Sequence, residues 1–407
     1  MKKDFLTFIL CFVFVFEISA QTKKFDWGKS EYTGRPWIEN TSRPNTITDG
    51  LNDRHFSIWS SHGRYYDVNK GYWKWQRPNL FGTTEDLYTQ TIVIPYLLPM
   101  LENAGAVVIS PRERDWQKQE VIVDNDNPKI TGIISYNEVN NKKKWETIEG
   151  SGFAYHQGTY ADGENPFIAG SARKIKSRKR NSKLSYVAYQ PNIPEDGDYA
   201  VYVSYKTIKK SVDDAEYIVF HKGQETHFRV NQQMGGGTWV YLGTFAFDKG
   251  CNIFNRVILT NHSKHRGVVT ADAVRFGGGM GNIARGGQIS GLPRALEGAR
   301  YYTQWAGAPR DVVSKSNGTN DYNDDINSRS LYTNWLAGGS SYIPKKEGLK
   351  VPIELVLAVH SDAGVKADGT TVGTLSICTT QQGNPTFGNG LSRRTSQTFA
   401  SQLITNA

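Results

Sequence analysis

Cysteine is scarce in this sequence: its 407 residues include three, and Cys11 lies within an N-terminal apolar run. The other two, Cys251 and Cys378, have neither the spacing of a metal knuckle nor the surroundings of a catalytic thiol. This scarcity excludes a small disulfide-stapled domain, because such domains depend on dense cysteine for their stability. We interpret both remaining cysteines as structural, and the sequence leaves open whether they pair.

Long apolar runs are also rare, and the one that stands out covers residues 5–16. It follows two lysines and precedes the small residues Ser19 and Ala20, which is the layout of a cleavable signal peptide. The run is too short to span a membrane, and no second run is present, so an uncleaved anchor is the weaker interpretation. The sequence predicts a signal peptide over residues 1–20, cleavage near Ala20, and a secreted or periplasmic mature chain without a membrane span.

Acidic residues are fewer than basic ones: 39 Asp and Glu against 48 Lys and Arg give a formal charge of +9. Residues 1–20 contain two lysines and two acids, so cleavage leaves this charge unchanged. A positive balance favours anionic polymers such as acidic polysaccharide or cell wall. The densest basic run, residues 173–180, lacks interleaved aromatics, so we interpret it as a solvated loop and expect no nucleic-acid partner.

The rest of the chain has an ordinary globular composition and enough length for two or three domains. Residues 21–50 are polar and without a clear period, which indicates an extended lead-in. Residues 51–122 then follow the order strand, helix, strand, which predicts a parallel α/β unit. We expect strands at 55–61 and 106–110. The helix between them begins at an N-cap at residues 83–84 and is interrupted by two prolines, Pro95 and Pro99.

A different texture covers residues 123–282, where short β-prone segments are separated by turn residues. This pattern predicts an antiparallel β-sandwich. The α/β pattern returns over residues 283–407. The elements that we expect there are helices at 328–336 and from 392 to 404, and strands at 353–359 and 371–378.

Two of the eight histidines, His62 and His360, each end an apolar strand before a small, polar turn. Glu85 lies in the first turn of the helix that begins at the same edge of the predicted sheet, so all three side chains can share one crevice. Two imidazoles and a carboxylate form a ligand set for a catalytic zinc ion with an open position for water. From spacing alone, the alternative of hydrogen-bonded structural histidines remains open, and the other six histidines are interpreted as structural or surface residues.

Residues from about 58 to 115 resemble the first half of the zinc-dependent N-acetylmuramoyl-L-alanine amidases. The positions that carry this resemblance are His62, Glu85, 97–101, Gly105 and 112–115. Residues 355–363 resemble the strand of the same family that bears its later zinc histidine. The resemblance implies that Zn²⁺ is held by His62, Glu85 and His360.

The middle of the chain resembles the golvesin/xanthan-lyase accessory β-sandwich, through residues 231–232, 235–243 and 270–276. The whole arrangement resembles secreted proteins of Bacteroides-type bacteria that are often labelled xanthan lyase. It implies an α/β amidase-like domain, with a mixed sheet flanked by helices, that is interrupted by an inserted antiparallel β-sandwich domain. The amidase-like parts would be residues 51–122 and 283–407, with the sandwich at 123–282.

The implied function is that of a secreted zinc-dependent amidase acting on peptidoglycan, with an accessory glycan-binding sandwich. Asp362 lies next to a ligand, so we expect it to orient the site or touch substrate, and substitution for the family's catalytic Glu is the alternative. Arg114 is a candidate substrate contact. The family also uses a catalytic Glu on a later strand as general base. No Glu follows His360, so we expect this base in sequence beyond Ala407, which would make the given chain incomplete; the alternative is a binding-only relative.

Two other functions compete with the amidase hypothesis. One is a catalytically inactive carbohydrate-binding protein that holds peptidoglycan or another extracellular glycan on its sandwich. Exposed aromatics such as Trp239 and Tyr241 could stack on sugar faces, although such residues also form sandwich cores. The other is a polysaccharide lyase acting on acidic glycans. Lyase catalytic domains are typically helical toroids, which this chain does not resemble, so the lyase label is assigned to the accessory domain alone.

Overall fold

The computed structural model describes residues 31–80, 82–127, 129–130, 133–361, 368–370, 373–380 and 384–406. The predicted signal peptide lies outside these residues. Strands predominate in the described part of the chain, and most of them pair antiparallel. None of its helices combines the length and the apolar character that crossing a membrane requires.

The strands of the described residues, in chain order, are β1 Ile38–Asn40, β2 His55–Ser60, β3 Arg64–Asp67, β4 Tyr72–Trp75, β5 Val107–Ile109, β6 Val121–Val123, β7 Lys129–Ile130, β8 Ile133–Ile134, β9 Tyr136–Val139, β10 Glu146–Gly152, β11 Gly170–Lys176, β12 Tyr186–Tyr189, β13 Gly197–Val203, β14 Ala215–His221, β15 Gln224–Val230, β16 Val240–Phe247, β17 Arg256–Thr260, β18 Val268–Ala271, β19 Val274–Phe276 and β20 Leu355–Val359. The α-helices are α1 Glu85–Tyr88, α2 Gln90–Ile92, α3 Leu98–Asn103, α4 Ala299–Trp305, α5 Arg310–Val313, α6 Asp321–Ala337 and α7 Arg394–Asn406. A π-helical segment, Val93–Leu97, joins α2 to α3, and two 3₁₀ turns occur at Pro166–Ile168 and Arg294–Leu296.

The predicted antiparallel sandwich is present. Its larger sheet has the strand order β1-β15-β14-β17-β12-β9, and two further sheets have the orders β16-β13-β19-β6 and β10-β11-β18. Buried and half-buried residues alternate along β14, with Ala215, Tyr217 and Val219 facing the core. This period of two is what a strand with one buried face requires. β1 comes from the segment that we expected to be a simple lead-in, and it forms an edge of the larger sheet.

A separate three-stranded sheet has the order β20-β2-β5, and all of its pairings are parallel. The predicted strands at 55–61, 106–110 and 353–359 are therefore confirmed, whereas the expected mixed pairing is not seen among the described residues. The strand predicted at 371–378 is wrong over residues 373–378, which form no strand. Leu375 and Ile377 are 77% and 79% exposed, so no neighbouring surface covers their apolar side chains.

The helix between β2 and β5 follows its sequence signals closely. Thr84 is the N-cap, and its side chain accepts a hydrogen bond from the backbone N–H of Asp86. Pro95 lies within the π-helical segment, which shows where the regular helix is interrupted. Gly105, with φ +104°, follows α3 and makes the left-handed turn into β5.

The basic run at residues 173–180 is only partly a loop. Residues 173–176 belong to β11, where the Arg173 side chain forms an ion pair with Glu138 at 2.6 Å (Nε to Oε1). Our interpretation of the whole run as a solvated loop is therefore wrong for its first half. β11 pairs with both β10 and β18, so these residues form a sheet strand that their polar sequence did not predict.

Buried arginines connect the sandwich to the segments on either side of it. Arg275, on β19, is fully buried and contacts Glu113 Oε2 through Nη1 at 2.7 Å. Its guanidinium also lies 3.8 Å from the ring centroid of Tyr202. Arg294 forms an ion pair with Glu120 at 2.7 Å. An unpaired buried guanidinium would cost several kcal/mol, so these carboxylates fix how the segments pack.

Asp162 is the centre of a second ionic cluster. Its carboxylate contacts three arginines, Arg285 at 3.0 Å, Arg300 at 2.6 Å and Arg310 at 2.9 Å. Burial acts to raise the pKa of Asp162, but the hydrogen bond from Arg310 and the charges of Arg300 and Arg285 outweigh it and lower the pKa to about 2. Asp162 lies within the sandwich region and the three arginines follow it, so this cluster joins the two parts.

We expect Asp162→Asn to lower the free energy of unfolding at pH 7 by about 2–4 kcal/mol, because three arginines lose their shared charge partner. The folded pKa lies below the ordinary value of 3.8, so this stabilisation is complete above pH 3.8 and is lost as the pH falls toward 2. Urea unfolding at pH 7 and pH 3 measures both effects. Asp198→Asn, at an exposed site without an ion pair among the described residues, is the control. Equal losses for both variants would contradict this role of Asp162.

Glu297 is a buried carboxyl group whose pKa is raised, whereas that of Asp162 is lowered. Its side chain is 1% exposed, and both of its carboxyl oxygens are buried. Burial raises the pKa of Glu297 from 4.5 to about 7. Because the unfolded chain loses this proton first, the carboxyl makes the folded state less stable as the pH rises from 4.5 to about 7.

We therefore expect the wild type to lose about 3 kcal/mol of unfolding free energy between pH 4 and pH 8 that Glu297→Gln does not lose. The comparison of pH dependences isolates the charge, since other titrating groups contribute equally to both proteins. Denaturant unfolding of both proteins at the two pH values provides the measurement. Parallel stability profiles would show that Glu297 does not titrate in this range.

Candidate metal-binding site

The three ligands predicted from sequence lie together in the structure. One donor atom each from His62, Glu85 and His360 can be chosen so that all lie within 4.8 Å of one another. The rings of His62 and His360 meet edge to face, with centroids 4.8 Å apart. His62 is buried, Glu85 is nearly so, and His360 is 35% exposed, so the group opens to solvent on the side of His360.

His62 is held by the turn that follows the central strand β2. The Ser61 hydroxyl contacts the Thr89 hydroxyl at 2.8 Å, and the Arg112 guanidinium donates to the His62 carbonyl. Arg329 donates in the same way to the Ser61 carbonyl. Gly63 follows, and a Cβ there would lie 2.3 Å from the carbonyl oxygen of Glu297, so only glycine permits this close approach. The backbone under His62 is thus fixed from several directions.

Glu85 and His360 come from two different elements and meet directly. The Glu85 Oε1 atom lies 3.0 Å from His360 Nδ1 and accepts a hydrogen bond from the backbone N–H of Ser361 at 3.2 Å. Burial acts to raise the pKa of Glu85, but the His360 hydrogen bond and the charge of His62 outweigh it and lower the pKa to about 2. Glu85 is therefore ionised at neutral pH.

Sequence reasoning missed two side chains that touch this group. Asp86 Oδ1 lies 3.3 Å from His62 Nδ1, and its Oδ2 accepts a hydrogen bond from the backbone N–H of Gln76. Arg77 places Nε 3.2 Å from Glu85 Oε2 and Nη2 3.4 Å from His62 Nε2. Asp86 follows Glu85 in the first helical turn without a pattern that marks it as part of a site, and no spacing in the sequence connects Arg77 to the histidines.

The donor set fits a zinc ion. Two imidazoles and one carboxylate leave a fourth position open, as in catalytic zinc sites. Burial lowers the pKa of His62, which favours the neutral imidazole that binds metal. His62 Nδ1 faces Asp86 Oδ1 at 3.3 Å, and both atoms are buried. A carboxylate facing a metal-binding imidazole is a common arrangement for orienting its ring.

The other predicted site residues lie elsewhere. Asp362 is outside the described residues. Arg114 forms a two-pronged ion pair with Glu102, at 2.6 and 3.0 Å, and its guanidinium lies 3.9 Å from the Tyr241 ring centroid. It makes no hydrogen bond or ion pair with the three candidate ligands. Trp239 is 4% exposed and packs in the core. Since the Arg114 guanidinium covers the Tyr241 ring, neither Trp239 nor Tyr241 presents an open ring face for stacking on a sugar. Cys251 and Cys378 are not bonded to each other.

A second group of donor atoms, from Asp213, Asp214 and His265, also lies within 4.8 Å. The Asp214 carboxylate already accepts hydrogen bonds from the Ser263 hydroxyl and from the backbone N–H of Lys264. These contacts close a local turn of the sandwich. They account for the position of Asp214 without a metal ion.

The model of the Golvesin C-terminal domain matches residues 152–278, which is within the sandwich. The xanthan lyase of Bacillus sp. (strain GL1) is 34% identical to this chain over 92 residues. That alignment covers 22% of this chain and 10% of the lyase, so the similarity concerns a small part of that enzyme. Part of the chain is thus homologous to an accessory portion of such a protein.

Solved structures give weaker matches. The structure of Paenibacillus xanthan lyase superposes with a TM-score of 0.29 and 24% identity, over 39% of this chain and 13% of the lyase. An exo-β-1,3-galactanase from Phanerochaete chrysosporium gives a TM-score of 0.21 and 12% identity, over 35% of this chain and 29% of that one. At these TM-scores neither superposition bears on fold or function. The shared sandwich segment therefore rests on the domain match and on the sequence relative.

Proposed function

We propose that this chain is an exported glycan-binding protein whose sandwich is of the golvesin/xanthan-lyase accessory type. The observation that carries the proposal is the domain match over residues 152–278, together with a relative named for its action on a polysaccharide. The partner would be peptidoglycan or another cell-envelope or extracellular glycan. The positive charge of +9 supports a glycan that carries anionic groups.

We expect the purified chain to be retained by at least one of insoluble peptidoglycan, xanthan and an acidic plant polysaccharide in affinity electrophoresis or pull-down. Neutral cellulose serves as a comparison, and heat-denatured protein controls for non-specific adsorption. Retention should weaken as salt is raised, because charge contributes to the contact. Failure to bind any polysaccharide in this panel would overturn the glycan-binding proposal.

A second function, a zinc-dependent amidase acting on peptidoglycan, is supported by the convergence of His62, Glu85 and His360 within 4.8 Å. When bound there, zinc would supply the Lewis acidity that amide hydrolysis needs. Of this chain's own residues, Asp86 would keep the His62 ring oriented, and the backbone N–H of Ser361 would hold Glu85. Arg77, whose side chain is 35% exposed, can donate to an oxygen of the bound substrate.

This second function still requires a general base. Asp362, the sequence candidate nearest to the ligands, lies outside the described residues. Asp86 faces His62 Nδ1 and has no exposed surface, so it is placed to orient a ligand rather than to accept a proton from water. Zinc binding and hydrolysis are therefore separate questions, and the metal can be tested first.

We expect the purified chain to contain about one zinc ion, and His62→Ala and His360→Ala each to lose it, because each removes one of three protein ligands. His227→Ala, which changes a histidine on β15 away from the group, should retain the metal. Asp86→Asn should weaken zinc affinity roughly 10–100-fold, because it removes the charge that faces His62. Metal analysis by mass spectrometry and titration against a chelator provide these numbers.

The outcomes separate the two functions. A folded wild type that binds no zinc after zinc supplementation would overturn the metal site and leave glycan binding standing. A zinc-loaded chain that releases no peptide from muropeptides would support a metal site without amidase activity. Release of peptide that a chelator abolishes and zinc restores would support the amidase.

A further inference from the structure

A cavity of about 510 Å³ opens where the sandwich meets the segment that leads into β20. Its volume is within the usual range for small-molecule sites. The residues around it are Thr207, Ile208, Lys209, Lys210, Ser211, Gln233 and Lys350. Residues 207–211 form the turn between β13 and β14, whereas Lys350 follows α6 in the chain. The cavity is therefore formed by two parts of the chain that are far apart in sequence.

The lysines of this cavity have no neutralising partner in the described part of the chain. No Asp or Glu lies within 4.0 Å of the amino group of Lys209, Lys210 or Lys350, and the lysine ion pairs present are those of Lys74 and Lys222. The nearby Asp213 is directed to Arg35 at 3.7 Å and His265 at 3.8 Å. All three lysines are exposed, and an anion bound at the cavity that they line would meet positive charge without a competing carboxylate.

The backbone of two of these lysines is in an unfavourable conformation. Lys210 and Lys350 have φ values of +72° and +65°, a region that glycine and asparagine enter more easily. Hydrogen bonds fix both positions: Val268 N–H donates to the Lys210 carbonyl, and Lys350 N–H donates to the Gly338 carbonyl, each at 2.9 Å. Both positions nevertheless carry a long cationic side chain at the cavity. The turns therefore determine where both side chains leave the backbone, and the same conformation also occurs at lysines away from the cavity.

The composition of the cavity indicates which anion it suits. No aromatic side chain lines it, so it offers no surface for stacking of nucleic-acid bases or of a neutral sugar ring. Gln233 Nε2 donates to the Ser211 carbonyl at 3.1 Å, and Gln233 Oε1 makes no hydrogen bond among the described residues. That oxygen can accept from a sugar hydroxyl while the ammonium groups bind a carboxylate.

We propose that this cavity binds a carboxylate-bearing sugar residue of an acidic glycan. The proposal rests on the glycan-binding function above and adds a ligand class and a site to it. Charge supplies the attraction, through Lys209, Lys210 and Lys350, and Gln233 contributes hydroxyl recognition. A neutral glycan has no group that satisfies the three lysines, so this site selects acidic chains.

The test compares tetragalacturonate with its methyl-esterified form by isothermal titration calorimetry on the full chain. The pocket variant combines Lys209→Gln, Lys210→Gln and Lys350→Gln. The control variant combines Lys142→Gln, Lys143→Gln and Lys144→Gln, which removes the same charge from an exposed loop. We expect at least a tenfold loss of tetragalacturonate affinity in the pocket variant, less than twofold in the control, and no detectable binding of the ester to the wild type.

Each result has a distinct meaning. Wild-type affinity in the pocket variant would overturn this site, while binding itself would preserve the glycan function. Equal losses in both variants, or equally tight binding of oligothymidylate, would show non-specific charge attraction and overturn the site as well. If the wild type binds no polysaccharide in the wider panel, the glycan function fails first. Urea unfolding of both variants checks that the fold is intact, and glutamine keeps the same backbone demands as lysine at positive φ.

Discussion

Several buried arginines pair with carboxylates, and these pairs constrain how the sandwich packs against the chain on either side. Arg275 is enclosed within the fold, where a lone guanidinium would be strongly destabilising, and Glu113 supplies the opposite charge. Arg300 finds its partners in Asp162 and Asp321. Because the Arg275–Glu113 and Arg300–Asp162 pairs join segments remote in sequence, they act together with the shared apolar core to hold one arrangement of the parts.

Buried arginines also hold the candidate metal site, here through hydrogen bonds to backbone carbonyls. Arg112 and Arg329 donate to two successive carbonyls, those of His62 and Ser61, so the turn below the imidazole cannot shift freely. Burial lowers the pKa of Arg112 to about 10, which still leaves it charged at neutral pH. Burial and the positive charges of Arg329 and Arg77 oppose protonation of His62. Asp86 and Glu85 favour it. Burial and the nearby arginines prevail, and the imidazole stays neutral.

Local patterns were sufficient to predict what depends on local structure. His62 and His360 follow apolar strands, and parallel strands bring their carboxyl ends to one edge, so their proximity could be inferred. The pairing of Arg275 with Glu113 spans 162 positions and leaves no local signal. Residues 373–378 show the opposite failure, since the apolar side chains of Leu375 and Ile377 stay exposed. Asp86 was visible in sequence, but its contact with His62 depends on how the helix is rotated.

The positive charges of this chain divide by residue type. Arginines form most of the ion pairs in the described residues, because a planar guanidinium can bind two carboxylate oxygens at once and loses less solvation on burial. Lysines form few of these pairs and remain hydrated at the surface. Among the described residues, carboxylates that form ion pairs therefore meet arginines far more often than lysines. The excess positive charge is therefore carried mainly by lysines. Some of these lysines line the same cavity, as Lys210 and Lys350 do. An anionic partner of this protein would meet lysines first.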